Sequence, residues 1–211
     1  DESMMIRQTS FEGKQVLHPS NFPSRPKGWR FINTSTFTAE VEKAGVIGKM
    51  SVNQHLNFRY QRQDLPGTGG IVGQEVRSPF PGTYRLYAQV IAEATTELDK
   101  KEVLEKYSFH LLFFEFTDPA KQIDKRKSIG EVEFVPEFAN ADSSVAQLVE
   151  MTKPFMSASG NFSFGLGMGV GVEIRQKNAT EEPWLTDAVQ FHVLTLDLEF
   201  LGKERDQDIT V

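Results

Sequence analysis

Residues 107–117 read YSFHLLFFEFT, and large apolar side chains occur at both odd and even positions of this segment. One set is Phe109, Leu111 and Phe113, and the other is Leu112, Phe114 and Phe116. Side chains alternate between the two faces of a strand, so this pattern predicts a central strand that is covered on both sides. The following Asp118-Pro119 ends the segment.

Segments on either side of this strand also have strand character. Residues 84–94 read YRLYAQVIAEA, and the charged stretch 99–102 that follows predicts the tip of a hairpin joining this segment to residue 107. Residues 46–60 alternate between mostly apolar even positions and polar odd positions. This alternation is much longer than the usual strand of about five or six residues, so we expect a bend or a bulge midway.

The remaining chain predicts further strands and one helix. Strands are expected at 36–41, 130–135, 161–174 and 189–201, and a flexible connection at 64–73. Ser144 and Gln147 have the spacing of a capping box, and apolar Val145, Leu148 and Val149 follow on one face. This pattern predicts a short helix that begins near Asp142 and ends before Pro154.

The order of these elements predicts an all-β fold. About eight strands bounded by Pro and Gly turns, with 17 Phe residues, favour an antiparallel β-sandwich or jelly roll with one short helix. The strand–helix alternation of nucleotide-binding folds is missing from the pattern. We expect an N-terminal arm and loop at 1–35, a single β-sandwich domain at 36–202 and a C-terminal tail at 203–211.

Composition excludes several classes of function. The chain of 211 residues has no cysteine, which rules out disulfides, thiolate metal sites and cysteine nucleophiles. Its net charge of -6 argues against a nucleic-acid partner, which would require a basic surface. No apolar run approaches the roughly 18 residues of a transmembrane helix, and we do not expect a membrane partner.

Glycines at alternate positions of the segment 161–174 form the least ordinary pattern. Gly165, Gly167, Gly169 and Gly171 would share one strand face, opposite an apolar face. Large rings from a neighbouring element would fill such a smooth face. Alternatively, a second subunit or a ligand would lie flat on it, or the segment would pair with 46–60 as a membrane-inserting hairpin.

Two carboxylate pairs have a spacing that acid–base chemistry uses. Asp197 and Glu199 would share a strand face, as would Glu131 and Glu133, at a separation of roughly 7 Å. No complete catalytic signature accompanies either pair, so we expect a protein that is not an enzyme. The four histidines lack the spacing of a metal motif, although strands could bring His110 and His192 together. We therefore predict no metal and no cofactor.

These features lead to three functional hypotheses. The first is a non-enzymatic structural or assembly protein of a virion, appendage or cell surface, in which Gly165, Gly167, Gly169 and Gly171 contact another copy or a partner protein. The second is a secreted carbohydrate-binding module, in which Trp29 and Trp184 stack on sugar rings. The third is a β-pore-forming toxin. Three N-x-[ST] sequons, at Asn33, Asn161 and Asn178, are compatible with an extracellular, virion or cell-surface location.

Overall fold

The structure is a computed structural model that describes residues 29–32, 37–60, 69–76, 81–121, 125–155, 165–177 and 189–203. Twelve strands and one helix lie within these ranges. They are β1 (Trp29–Ile32), β2 (Phe37–Glu42), β3 (Gly45–Ile47), β4 (Met50–Val52), β5 (His55–Tyr60), β6 (Gly69–Val76), β7 (Gly82–Ala94), α1 (Glu97–Lys106), β8 (Tyr107–Phe116), β9 (Arg126–Phe134), β10 (Gln147–Phe155), β11 (Met168–Gln176) and β12 (Val189–Lys203).

Ten of these strands form two five-stranded antiparallel sheets. Sheet I has the order β1-β6-β11-β8-β9, and sheet II has the order β10-β7-β12-β5-β2. Strands β5 to β12 distribute between the two sheets in jelly-roll order, and β3 and β4 form a separate hairpin. The predicted fold class is therefore confirmed. Strand β1 lies within the segment predicted as an arm, and it pairs with β6 at the edge of sheet I.

The core lies between the sheets and contains many aromatic rings. Phe58, Tyr84 and Phe191 from sheet II and Tyr107 and Phe113 from sheet I are almost completely buried. Burying each such side chain contributes about 1.5–3 kcal/mol before entropy is considered. The high phenylalanine content thus stabilises the contact between the two sheets.

Strand β8 is covered on both faces, as its sequence predicts. It lies between β11 and β9 in sheet I. Phe109, Leu111 and Phe113 face the core between the sheets, while Leu112, Phe114 and Phe116 form a second buried cluster with Ile71.

The predicted hairpin between β7 and β8 is wrong, because residues 97–106 form helix α1. Thr96 caps this helix: its Oγ1 accepts a hydrogen bond from the Asp99 backbone N–H at 3.1 Å and donates to Asp99 Oδ2 at 2.8 Å. The segment ELDKKEVLEK consists mostly of good helix formers, and Val103 anchors it in the core. The helix carries the chain from sheet II to sheet I, so β7 and β8 do not pair.

The helix predicted near Asp142 is also wrong. Asn140 and Ser143 hydrogen-bond each other in a turn, with Asn140 N–H donating to Ser143 Oγ at 2.9 Å. Strand β10 then begins at Gln147 and pairs with β7 over nine positions. Val149 and Phe155 are both buried, and their spacing is a multiple of the two-residue period of a strand. The capping residues therefore form a turn in this protein.

The long alternation at 46–60 is divided among β3, β4 and β5. Gly48 adopts φ of +60° in the turn between β3 and β4, and this turn reverses the chain. As a result Val46 is 69% exposed, while Ile47, Met50 and Val52 are buried against Ile91. The segment predicted as a connection at 64–73 contributes its last residues to β6, which lies between β1 and β11.

Candidate ligand-binding face

The outer face of sheet II has an open strip of polar and aromatic side chains. The side chains at the second, fourth and further alternate positions of β7 point away from the core, and the register of β10 and β12 places outward residues beside them. Tyr87 pairs with Glu150 on one side and with Asp197 on the other. We call this surface the tyrosine strip, and its members are Arg85, Tyr87, Gln89, Glu150, Thr195, Asp197 and Glu199.

Arg85 is fixed at the centre of the tyrosine strip. Its Nε donates to Glu150 Oε2 at 2.8 Å, and its Nη1 lies 3.5 Å from Glu199 Oε2. The guanidinium carbon lies 4.1 Å from the centroid of the Tyr87 ring, a cation–π distance. The two carboxylates thus hold a flat, donor-rich group over a flat ring.

Charges around the Tyr87 ring affect its hydroxyl. Partial burial and the nearby carboxylates of Asp197 and Glu199 raise the pKa of Tyr87, while Arg85 opposes this shift. The phenol is therefore protonated at neutral pH and offers a donor beside two carboxylate acceptors.

The β3–β4 hairpin, packed on Ile91, closes one end of the tyrosine strip, and we call it the wall. The β3–β4 hairpin packs on Ile91, which is two residues beyond the exposed Gln89 on the outer face of β7. Leu194 of β12 and Ala146, which precedes β10, pack against the same cluster. A register shift of β12 after Val193 sets Thr195 opposite Gln89, at the foot of this wall.

Beyond the wall lies a group that we call the histidine cluster, which consists of the buried His55 and His192 and the partly exposed Glu42 and Glu93. Neighbouring strands β2, β5, β12 and β7 each supply one member. His55 and His192 are 2% and 1% exposed, and their facing ring nitrogens are 2.9 Å apart. Burial is the largest cause that lowers the pKa of His55.

The sequence did not predict this histidine pairing. The sequence left open that strands bring His192 to His110, but His110 lies on sheet I and His192 on sheet II. His55 and His192 are 137 residues apart in the chain, and only the register of β5 with β12 brings them together. The available signal was that both occupy polar positions of alternating strands.

His110 belongs to a separate charged network on the outer face of sheet I. Its Nδ1 lies 3.0 Å from Glu131 Oε2, and the same carboxylate oxygen is 2.7 Å from Arg175. Burial and the charge of Arg175 lower the pKa of His110, against the opposing effect of the nearby carboxylates. Glu173 forms ion pairs with both Arg126 and Arg175. The predicted pair Glu131 and Glu133 therefore contacts a histidine and an arginine.

The glycine positions do not form one continuous strand face. Gly165 and Gly167 precede β11 at φ of +59° and +133°, and Gly169 and Gly171 lie within β11. A Cβ on Gly169 would come within 2.3 Å of the Phe114 ring, so that ring fills the space above it. A Cβ on Gly171 would meet the carbonyl oxygen of Val72 at 2.7 Å. The role of these four glycines in contact with a partner stays a prediction.

The predicted tryptophan platform is not tested by the described residues. Trp29 begins β1 and pairs with Gln74, whereas Trp184 lies outside the described ranges. Asp197 and Glu199 do share an outward face, as their spacing predicts, and they adjoin Tyr87 and Arg85.

No protein-family model and no curated protein sequence matches this chain. Solved structures resemble it at low sequence identity. A CBM4 structure has a TM-score of 0.46 and 13% identity over 93% of this chain and 99% of its own. The K2 cleaved adhesin domain of Lys-gingipain has a TM-score of 0.45 and 10% identity over 93% and 98%. The N-terminal cellulose-binding domain of Cellulomonas fimi β-1,4-glucanase C has a TM-score of 0.37 and 13% identity over 84% and 91%.

These likenesses concern architecture, and any function assigned to this chain must come from its own side chains. Among the described residues, no helix combines the length and the apolar character needed to cross a bilayer.

Proposed function

We propose that this protein binds a neutral carbohydrate along the tyrosine strip. The observation that carries the proposal is the arrangement of Arg85 and Tyr87, a stacked pair whose planar groups lie on an open sheet face among three carboxylates. A pyranose ring presents both C–H groups and hydroxyls, so it is recognised by an aromatic or planar platform with hydrogen-bonding groups around it.

The polar groups of the tyrosine strip suit hydroxyls rather than apolar ligands. Carboxylates accept hydrogen bonds, guanidinium and phenol groups donate them, and the Gln89 amide does both. The strip offers three carboxylates, from Glu150, Asp197 and Glu199, and a single guanidinium. Its charge and the net charge of -6 on the chain would repel an acidic polysaccharide, so the ligand we propose is a neutral glycan.

We further propose that binding occurs without hydrolysis. Glu199 Oε2 lies 3.5 Å from Arg85 Nη1, so this carboxylate already pairs with a cation. A general acid would require a carboxyl group in an apolar site, whereas the Glu150 and Glu199 side chains are exposed and pair with Arg85. Incubation with an oligosaccharide ligand should leave that ligand intact when its products are followed by chromatography.

Calorimetric titration tests the binding proposal. We expect a neutral oligosaccharide among cellohexaose, xylohexaose and mannohexaose to bind, and polygalacturonate not to bind. Tyr87→Ala should weaken binding by about tenfold or more, equivalent to about 1.4 kcal/mol, because it removes the ring beneath Arg85. Asp197→Asn should weaken binding through loss of a charged acceptor.

Glu133→Gln is the matched control, because Glu133 is an exposed carboxylate in an outward position of sheet I. This variant should bind the neutral oligosaccharide with the same affinity as the wild type. If no neutral oligosaccharide binds, or if Tyr87→Ala binds as tightly as Glu133→Gln does, the tyrosine strip is not a carbohydrate site.

Homo-oligomeric assembly, the first hypothesis from the sequence, stays a prediction, because the structure describes a single chain. An extracellular or cell-surface location is the corresponding proposal for a glycan-binding module, and it agrees with the three sequons. The pore hypothesis loses the continuous strand at 46–60 on which it depended, since β3, β4 and β5 divide that segment.

A further inference from the structure

The histidine cluster brings three potential ligand atoms to one point. His55 Nε2 lies 2.9 Å from His192 Nδ1, and Glu42 Oε2 lies 3.2 Å from the first and 3.1 Å from the second. Ligands bound to one tetrahedral Zn²⁺ at about 2.0–2.1 Å are separated from each other by about 3.3 Å. The three atoms therefore already form a triangle of nearly the size that a metal ion requires.

The outer partners of the two imidazoles fix which nitrogen carries the proton. His55 Nδ1 lies 2.8 Å from the carbonyl oxygen of Asn53, and His192 Nε2 lies 2.7 Å from Glu93 Oε2. A carbonyl and a carboxylate only accept hydrogen bonds, so both of these nitrogens are N–H donors. In the neutral rings, the facing nitrogens His55 Nε2 and His192 Nδ1 then carry lone pairs.

Three lone pairs consequently meet in a buried place. Glu42 Oε2 is buried and accepts no hydrogen bond from the described residues, although both imidazoles are close to it. If a facing nitrogen carried the proton instead, a lone pair would point at the Asn53 carbonyl or the Glu93 carboxylate. Converging lone pairs repel one another unless a cation lies between them.

A metal ion fits this position better than a proton does. A proton on one facing nitrogen can bridge only two of the three atoms in a hydrogen bond, whereas a metal ion contacts all three at once. Two imidazole nitrogens and one carboxylate oxygen are a donor set for Zn²⁺ and similar transition metals, whereas Ca²⁺ and Mg²⁺ prefer oxygen ligands alone.

We propose that His55, His192 and Glu42 bind one divalent transition-metal ion of the Zn²⁺ class, with Glu93 as the residue that positions His192. The contact between Glu93 and His192 is the carboxylate–histidine arrangement that orients metal ligands in proteins. The ion would join strands β2, β5 and β12, and it would leave further coordination positions to water. This inference is independent of the carbohydrate proposal, because the two sites share no side chain.

Zinc titration of the chelator-treated protein, followed by calorimetry, tests the inference. We expect one Zn²⁺ per chain with micromolar or tighter affinity, and no saturable binding of Ca²⁺ or Mg²⁺. Glu42→Gln and His55→Gln should each weaken zinc binding about 100-fold, and Glu93→Gln about 10–100-fold. His110→Gln removes a buried histidine outside the cluster and should leave zinc binding unchanged.

A second measurement guards against variants that fail to fold. Glu42 and Glu93 are partly exposed, so their glutamine variants should keep the wild-type far-ultraviolet circular dichroism spectrum. Cobalt bound to the wild type should show the visible absorption of a low-symmetry site, and this band should be lost in Glu42→Gln. The proposal would be overturned if zinc binding is not saturable, or if the Glu42→Gln and His55→Gln variants bind zinc as tightly as the wild type does. It would also be overturned if the two imidazoles share a proton at neutral pH.

Discussion

At the scale of single residues, Gly48 and Gly165 have nearly the same positive φ angle in different surroundings. Their φ angles are +60° and +59°, a region that side-chain-bearing residues seldom adopt. A Cβ on Gly48 would lie 2.7 Å from the carbonyl oxygens of Asn140 and Ser143, whereas a Cβ on Gly165 would meet nothing within 4 Å. The two positions therefore separate conformational strain from steric collision.

We expect Gly48→Ala to lower the free energy of unfolding by about 1–3 kcal/mol more than Gly165→Ala does. Both variants bear the cost of a positive φ, but only the first displaces backbone that supports the β3–β4 hairpin. Urea denaturation of the two variants measures the difference. Equal losses of stability would show that the backbone around Gly48 yields without cost.

At the scale of elements, helix α1 depends on its first turn. The helix has one fully buried side chain, Val103. Packing therefore contributes little to the stability of the helix, and capping contributes correspondingly more. Thr96→Ala removes the oxygen that accepts the Asp99 N–H bond, and we expect it to lower the free energy of unfolding by about 1 kcal/mol.

The same denaturation experiment checks this prediction. Thr117→Ala, at an exposed threonine just after β8, is the matched control and should stay within about 0.5 kcal/mol of the wild type. Equal effects in the two variants would mean that the cap does not stabilise the fold.

Elements with strong period-two or two-sided apolar patterns could be predicted from the sequence. Residues 107–117, 84–94 and 189–201 all correspond to strands within two residues of their expected ends. Helix α1 could not be predicted from the sequence, because its charged residues resemble a turn and its apolar periodicity is weak. Strand β6 could not either, since GGIVGQEV has the glycine content of a loop and becomes a strand through pairing on both sides.

The candidate sites were predictable only in part. The shared face of Asp197 and Glu199 follows from the spacing of two residues in a strand. Their neighbours Tyr87 and Arg85 depend on the pairing of β7 with β12, which no local pattern specifies. The histidine cluster needs four strands in correct register, and it therefore appears only once the topology is known.

At the scale of the whole molecule, acid should destabilise the fold through the buried histidine His110. Burial, followed by the charge of Arg175, lowers the pKa of His110 below its usual value of about 6.5. The unfolded chain then binds more protons than the folded one below about pH 6.5. The contribution of His110 to stability is fully present above this pH, and it is lost as the pH falls through the lower pKa that His110 has in the folded state.

The urea midpoint, measured from about pH 7.5 to 5 with a chelator present, should decrease toward acid. His110→Gln should make the urea midpoint depend less steeply on pH, because the glutamine side chain does not titrate. This holds even if the variant is less stable than the wild type at neutral pH. Lys101→Ala, a change at an exposed position of α1, should leave the slope unchanged. A slope that is the same in His110→Gln and in the wild type would assign the acid sensitivity to other groups.

The position of β12 in sheet II has a kinetic consequence. Among the described strands, β12 alone joins the β10–β7 pair to the β5–β2 pair, and it follows both in the chain. Neither half of the sheet can be joined to the other until residues 189–203 have left the ribosome, and closure must draw together segments more than a hundred residues apart. Folding of this kind takes about milliseconds to seconds, and the unjoined edges of β7 and β5 are exposed to other chains until β12 inserts between them.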